Sequence, residues 1–96
     1  MNKKFFLTTP IYYVNDVPHI GHAYTSLAAD TLARFKKLEG QKVFFSTGTD
    51  EHGLKVETSA EKNNESVIKF TDRVSKKFED LSLSLNLTNN DFIRTT

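Results

Sequence analysis

Apolar and polar positions change their spacing repeatedly along this chain, and each change marks a predicted element. Lys4 to Thr9 is a dense Phe/Leu/Thr run closed by Pro10, which suits a buried strand better than a helix. From Pro18 or His19 the period becomes three to four. Tyr24, Leu27, Ala28, Thr31, Leu32, Phe35 and Leu38 form an apolar stripe, Asp30, Lys36, Lys37 and Glu39 fall largely off it, and Gly40 ends the helix. Gln41 to Thr47 returns to strand chemistry through Val43, Phe44 and Phe45, with Gly48 as its close. Gly53 to Lys62 reads as a shorter helix carrying Leu54, Val56 and Ala60, broken by Asn63-Asn64. Val67, Phe70, Val74, Phe78 and Leu81 make the most regular helical stripe, opened near Glu65 or Ser66 and with lysines in its last turns. Phe92-Ile93-Arg94 is a last short strand.

Strand, helix, strand within about fifty residues is a βαβ unit, whose strands run parallel with a right-handed crossover. The whole order, β-α-β-α-α-β, predicts an α/β fold: a parallel-sheet, Rossmann-like nucleotide-binding half, and so an incomplete doubly wound domain. Ninety-six residues make one domain at most. Three parallel strands leave an unusual share of exposed backbone and apolar surface, so residues 1–96 read as cut from something larger.

Composition narrows the function classes. Thirteen Lys plus Arg against twelve Asp plus Glu give a net charge of +1, with both signs scattered and no basic block for nucleic acid or an anionic membrane. The absence of Cys removes disulfides, thiolate zinc sites and thiol nucleophiles. The start Met1-Asn2-Lys3-Lys4-Phe5-Phe6-Leu7 imitates a signal peptide, but the apolar run stops at Leu7, and no run approaches the ~20 residues that cross a bilayer. A soluble, cytoplasmic protein is the expectation.

In open α/β sheets ligands bind beyond the carboxyl ends of the strands, here Pro10 to His22 and Gly48 to Gly53. The first loop holds Pro18-His19-Ile20-Gly21-His22 at a helix start. His19 and His22 are three apart, on one face of a first turn whose free N–H groups and dipole favour an anion. Their imidazoles can donate to phosphate oxygens, and Gly21 lets a flat ring such as a purine approach the backbone. Nucleotidyl transfer at an α-phosphate fits, since positioned donors act on its developing charge. Simple helix capping by the two histidines is the plainer alternative. A metal site from His19, His22, His52, Asp50 and Glu51 is a third reading, disfavoured by the glycine and the anion-friendly helix start, and no metal ligand is assigned. In the second loop Asp50 can bind a ligand ammonium, or the loop is a polar turn with a capping carboxylate. Tyr12 and Tyr13 are either aromatics at the core rim or phenols lining an apolar pocket.

Thr8-Thr9-Pro10-Ile11-Tyr12-Tyr13-Val14-Asn15-Asp16-Val17-Pro18-His19-Ile20-Gly21-His22-Ala23-Tyr24-Thr25, followed by Gly48-Thr49-Asp50-Glu51-His52-Gly53, closely resembles the amino-terminal part of the bacterial methionyl-tRNA synthetases, a class I aminoacyl-tRNA synthetase family. Phe92-Ile93-Arg94-Thr95-Thr96 also looks like the family's third strand. The resemblance implies synthesis of methionyl-adenylate from methionine and ATP, accompanied by Mg²⁺, and transfer of methionine to its tRNA. It implies His19 and His22 as catalytic phosphate-holding histidines, Gly21 beneath the adenine and Asn15 in the ATP-facing segment. Asp50 would meet the methionine ammonium, Tyr13 the thioether and Ile11 the substrate through its backbone. A neutral thioether offers one weak acceptor and good dispersion, which suits an aromatic neighbour better than a charge. No Lys-Met-Ser-Lys-Ser stretch occurs, and Val74-Ser75-Lys76-Lys77 is a false echo with Val74 on the helix's buried stripe. No structural zinc ligands are expected in this segment. The isolated chain is therefore expected to aminoacylate negligibly. The competing readings are a folded, non-catalytic interaction module and a different nucleotidyltransferase with the same histidines.

Overall fold

The computed structural model describes residues 3–15 and 17–95; Met1, Asn2, Asp16 and Thr96, which belong to the start and loop segments considered above, lie outside them. The elements are β1 (Lys4–Thr8), β2 (Tyr12–Tyr13), α1 (Ile20–Leu38), β3 (Lys42–Asp50), α2 (Leu54–Lys62), α3 (Val67–Ser84) and β4 (Asp91–Arg94). All strand pairings are parallel and all involve β3. Ser46 stands between Thr8 and Asp91, and Thr49 between Tyr12 and Arg94, so β1 and β2 share one edge of β3 while β4 takes the other. Between the pairs Thr8/Ser46 and Tyr12/Thr49, the three residues Thr9, Pro10 and Ile11 face only Thr47 and Gly48. Pro10 has no N–H for the ladder, and the extra residue bulges there, turning the expected open loop into a second, two-residue strand.

β3 runs two residues beyond its expected close at Gly48. Gly48 is inside the strand because β4 passes so near that a Cβ at this position would run into the carbonyl of Ile93. The glycine here serves close backbone approach rather than a turn.

The helices end alike. In each, the residue after the cap has positive φ: Gly40 at 84°, Asn64 at 54° and Asn86 at 54°. Reciprocal bonds close the last turn, Gln41 N–H to Lys36 O and Gly40 N–H to Lys37 O in α1, Glu65 to Ala60 and Asn64 to Glu61 in α2, Leu87 to Ser82 and Asn86 to Leu83 in α3. These are Schellman motifs, and asparagine tolerates the left-handed conformation that glycine adopts freely. At its other end α3 is capped by Ser66, whose Oγ accepts from Lys69 N–H. The lysines expected in the last turns of α3 lie further back, at Lys76 and Lys77, and its last turn carries no basic residue.

Successive right-handed crossovers that move the chain in one direction across the sheet place their helices on one face. Accordingly Lys36 of α1 lies over the Phe5 ring, Ser26 of α1 bonds Tyr12, and Ser75 of α3 bonds Thr49. The core on this side is Val14, Val56, Ala60, Phe70, Val74 and Phe78, with Tyr12, Tyr13 and Phe92 packed on its edge. The opposite face is bare of helices: Phe6 and Phe44 stack on each other, rings 5.8 Å apart, and are 66% and 46% exposed. The result is a slab of 53 × 22 × 16 Å with a radius of gyration of 15.0 Å. A compact chain of this length has about 12.5 Å.

The apolar stripe of α1 does not face the sheet, contrary to the expectation from its period. Tyr24, Leu27, Leu32, Phe35 and Leu38 are exposed, and the buried residues are Ser26, Asp30 and Ala33. Polar bonds decide this orientation. The buried Asp30 carboxylate accepts from the Thr88 N–H and hydroxyl at 2.6 Å each and from Arg34 Nε at 2.8 Å, and the Ser26 and Tyr12 hydroxyls bond at 2.8 Å. Turning α1 over would carry Asp30 and Ser26 into solvent and strip the Thr88 N–H and the Tyr12 hydroxyl of these partners.

Gly48→Ala is expected to lower stability by about 1–3 kcal/mol, since β4 must shift to admit the methyl group. Gly40→Ala meets no atom within 4 Å and strains only φ. Urea unfolding should rank the first clearly below the second, and equal midpoints would contradict the close approach described here.

Candidate functional site

The parallel register delivers the site's parts to one edge. Tyr13 stands directly opposite Asp50, and the next residue, Val14, donates its N–H to the Asp50 carbonyl at 3.3 Å. From there the chain passes through Asn15, Val17 and Pro18 into α1, whose N-cap is His19.

The two histidines form a reciprocal cap. Gly21 N–H donates to His19 Nδ1 and His19 N–H donates to His22 Nδ1, both at 3.0 Å, in the manner of a capping box. The rings stack with centroids 3.9 Å apart. A ring nitrogen that accepts a backbone N–H carries no proton, so in the neutral rings the proton is assigned to Nε2 in both. Among the described residues neither Nε2 has a hydrogen-bond partner, and two N–H donors are left for a ligand. Burial, and secondarily the neighbouring His19, hold the His22 pKa below its ordinary value of 6.5, so its neutral form prevails at pH 7. His22 is also fixed by edge contacts to Tyr12 and Phe78, at 4.9 and 4.8 Å. Tyr12, stacked on Phe78, is thus a core-rim aromatic that orients a histidine. Gly21 has a local reason as well: a Cβ there would lie 2.8 Å from His19 Cε1.

Tyr13, Asn15, Val17, Pro18, His19 and His22 line a cleft of about 410 Å³. Four of the sequence-predicted site residues therefore meet in one concavity. Gly21 adjoins it in the first turn of α1. Asp50, half-buried at the end of β3, is beside Tyr13 in the sheet but outside the cleft wall, and Ile11 is exposed in the bulge. The Tyr13 hydroxyl lies over Gly53, φ 124°, where a Cβ would collide with it. Tyr13 both packs on the core edge and lines the cleft.

The acidic pair of the second loop separates. Glu51, 1% exposed at its side chain, receives both Arg94 Nε and an Arg94 terminal nitrogen at 2.7 Å and the Thr49 hydroxyl at 2.8 Å, while its own N–H donates to the Thr95 hydroxyl at 2.9 Å. Arg94 reaches Asp72 of α3 as well, at 2.7 Å. Burial pushes the Glu51 carboxyl up, but the Arg94 guanidinium, the Thr49 hydroxyl and Ser75 outweigh it, so the pKa falls below its ordinary 4.5, and that of Arg94 rises. Glu51 is structural, tying β3, β4 and α3 together beside Asp50. Arg94 carried no sign of this role beyond its position at the end of a strand. Among the described residues no group of three or more His, Asp or Glu is placed to hold a metal ion, so His19, His22, His52, Asp50 and Glu51 do not assemble as one. Nor is any helix among them long and apolar enough to cross a membrane.

A parallel α/β sheet with a histidine-capped helix start beside its carboxyl edge puts the chain in the Rossmann-like class. Residues 5–96 match the family of tRNA synthetases class I (M), and the chain belongs to it. The methionine–tRNA ligase of Rickettsia bellii is 58% identical over 96 residues, all of this chain and 19% of that protein. That of Helicobacter pylori strain 26695 is 55% identical over 94 residues, 98% of this chain and 14% of that protein. The crystal structure of Mycobacterium tuberculosis methionyl-tRNA synthetase bound by methionyl-adenylate superimposes with a TM-score of 0.96 at 45% identity, covering 98% of this chain and 19% of that one. The chain thus spans about a fifth of the length of the Rickettsia relative it matches.

Arg94→Ala strands a buried carboxylate and is expected to cost about 3 kcal/mol, the low end for a buried pair because Arg94 is one-third exposed. Because the Glu51 pKa is lower in the folded than in the unfolded chain, its contribution is present above pH 4.5 and lost as pH falls through the folded value. Denaturation from pH 7 to 3 should therefore show a smaller acid loss in Glu51→Gln than in the parent; parallel curves would remove the ion pair from the account.

Proposed function

We propose that this chain supplies the amino-terminal half-site of a methionine–tRNA ligase, which activates methionine with ATP and passes it to tRNA. The observation that carries the reading is the pair of stacked histidines whose Nδ1 atoms are consumed by the helix cap, leaving both Nε2–H donors beside the cleft. ATP, with Mg²⁺ entering as part of the substrate, lays its phosphates across these donors, with Asn15 in the same segment and the adenine over Gly21. A methionine carboxylate oxygen attacks the α-phosphorus, the bond to the bridging oxygen breaks, and pyrophosphate leaves. His19 and His22 donate to oxygens whose charge rises during this step, so their bonds strengthen in the transition state. Asp50 holds the substrate ammonium by a charge-assisted hydrogen bond, Tyr13 faces the thioether, and the Ile11 backbone meets the amino acid. A hydroxyl of the 3′-terminal adenosine of tRNA then attacks the acyl carbon and releases AMP. The remaining four-fifths of a relative's length would complete the pocket. The setting of such an enzyme is the cytoplasm.

In the full-length protein, methionine-dependent ATP–pyrophosphate exchange should fall about 100-fold or more in Asp50→Ala and in His22→Gln. Gln at the third helical position can still accept from the cap N–H, so His22→Gln should keep stability within about 0.5 kcal/mol, whereas His22→Ala loses cap and donor together. Undiminished exchange in both Asp50→Ala and His22→Gln would sink the assignment.

A further inference from the structure

α2 sorts its side chains into three stripes, and their arrangement extends the site. Val56 and Ala60 are buried in the core. Glu57 and Glu61 line a hollow shared with Glu65 and Val67, which Leu54 and Thr58 separate from the next one. The third stripe, Lys55, Thr58, Ser59 and Lys62, follows the i, i+3, i+4, i+7 spacing of one helix face and lines a second cleft of about 290 Å³ together with Asn15 and Leu54. Asn15 lines both this cleft and the histidine cleft, so the two adjoin at that residue. Among the described residues neither Lys55 nor Lys62 is in an ion pair, although six pairs occur elsewhere and Glu57 and Glu61 are only two and one residues away in sequence. The charges of α2 are segregated: Glu57 and Glu61 in one hollow, and the two unpaired ammonium groups with the Ser59 hydroxyl in the one that shares Asn15 with the histidine cleft.

We propose that this stripe is a phosphodiester track that guides the 3′ strand of the acceptor RNA to the histidine cleft. It rests on the functional reading above. Seven residues of helix separate the two lysines by ~10 Å along the axis. Successive phosphates of one strand match that spread with both side chains extended, whereas a single phosphate would draw the two like charges together. Lysine suits this use, because a point charge on a flexible stem follows a backbone without reading bases. The Ser59 hydroxyl lies between the lysines and adds a phosphate contact of the kind that positions a strand, while the Thr58 hydroxyl donates to Leu54 O of its own helix at 2.9 Å. The charge balance of the whole sequence hides the track, because the glutamates of the other hollow cancel the lysines in any count.

The test uses the full-length protein, Lys55→Gln, Lys62→Gln, the double variant, and Glu57→Gln as a control in the other hollow. Methionine-dependent ATP–pyrophosphate exchange reports on the histidine site without RNA. The KM for tRNA in aminoacylation and direct tRNA binding by fluorescence anisotropy report on the track. The expected result is unchanged exchange and a tRNA KM and Kd raised about 5- to 20-fold in the double variant, with the salt slope of binding reduced by about 1.4 for two contacts to a single strand. Glu57→Gln should leave tRNA binding unchanged or slightly tighter. A rise in the KM for ATP with tRNA binding intact would overturn the proposal by giving the stripe to the nucleotide's phosphates. Unchanged tRNA binding and exchange would overturn it outright. Absence of exchange in the parent protein would instead refute the functional reading, and the anisotropy series would still decide whether Lys55 and Lys62 hold RNA.

Discussion

One buried carboxylate organises the functional edge of this molecule. Glu51 leaves β3 just after Asp50, turns inward, and is met by the fork of Arg94 from β4, by the Thr49 hydroxyl from its own strand, and through Arg94 by Asp72 of α3. A carboxylate with so little solvent exists only because its lone pairs are satisfied, and satisfying them fixes three elements at once. Asp50 is one residue away and Tyr13 is its partner in the sheet. The residues that would meet an amino acid therefore stand on a frame held by charge and hydrogen bonds, beside an apolar core that packs the same helices from below.

The helix start shows a second economy of means. The N-terminus of α1 must satisfy free N–H groups, and here the side chains that do so are imidazoles rather than the usual hydroxyl or carboxamide. Each ring gives one nitrogen to the backbone and leaves the other without a hydrogen-bond partner among the described residues. Capping and phosphate binding, which the sequence presents as alternatives, are compatible uses of opposite sides of the same two rings. Tyr12 and Phe78 hold the His22 ring edge-on, so its direction is set by the core and not by the ligand.

The sheet is covered on one side. Two right-handed crossovers in the same sense force α1 and α3 onto one face, and the Phe6/Phe44 stack remains exposed on the other. The outward stripe of α1 is exposed as well, from Tyr24 to Leu38. Both surfaces are apolar in pattern yet unpaired within these residues, in keeping with a chain that spans 19% of its Rickettsia relative.

Local chemistry was readable directly from residue order. Strand and helix types, the breaks at Gly40 and Asn64, the α3 stripe and the placement of His19 and His22 at a helix start follow from short-range rules, because propensity, periodicity and turn stereochemistry act within a few residues. Tyr13, Asn15, His19 and His22 were legible together because they lie in one segment beyond the carboxyl end of a parallel strand, where the resemblance to the family also placed Tyr13 and Asn15. Long-range contacts were not. The period of α1 could not reveal that Asp30 is claimed by Thr88, fifty-eight residues away, and that this polar bond turns the apolar stripe outward. Gly48 read as a terminator because nothing local announces that β4 will pass against its missing Cβ. Glu51 read as half of an acidic pair until Arg94, forty-three residues on, took it away. Partners distant in sequence are selected by packing geometry, and a buried charge goes to whichever group the fold brings within reach.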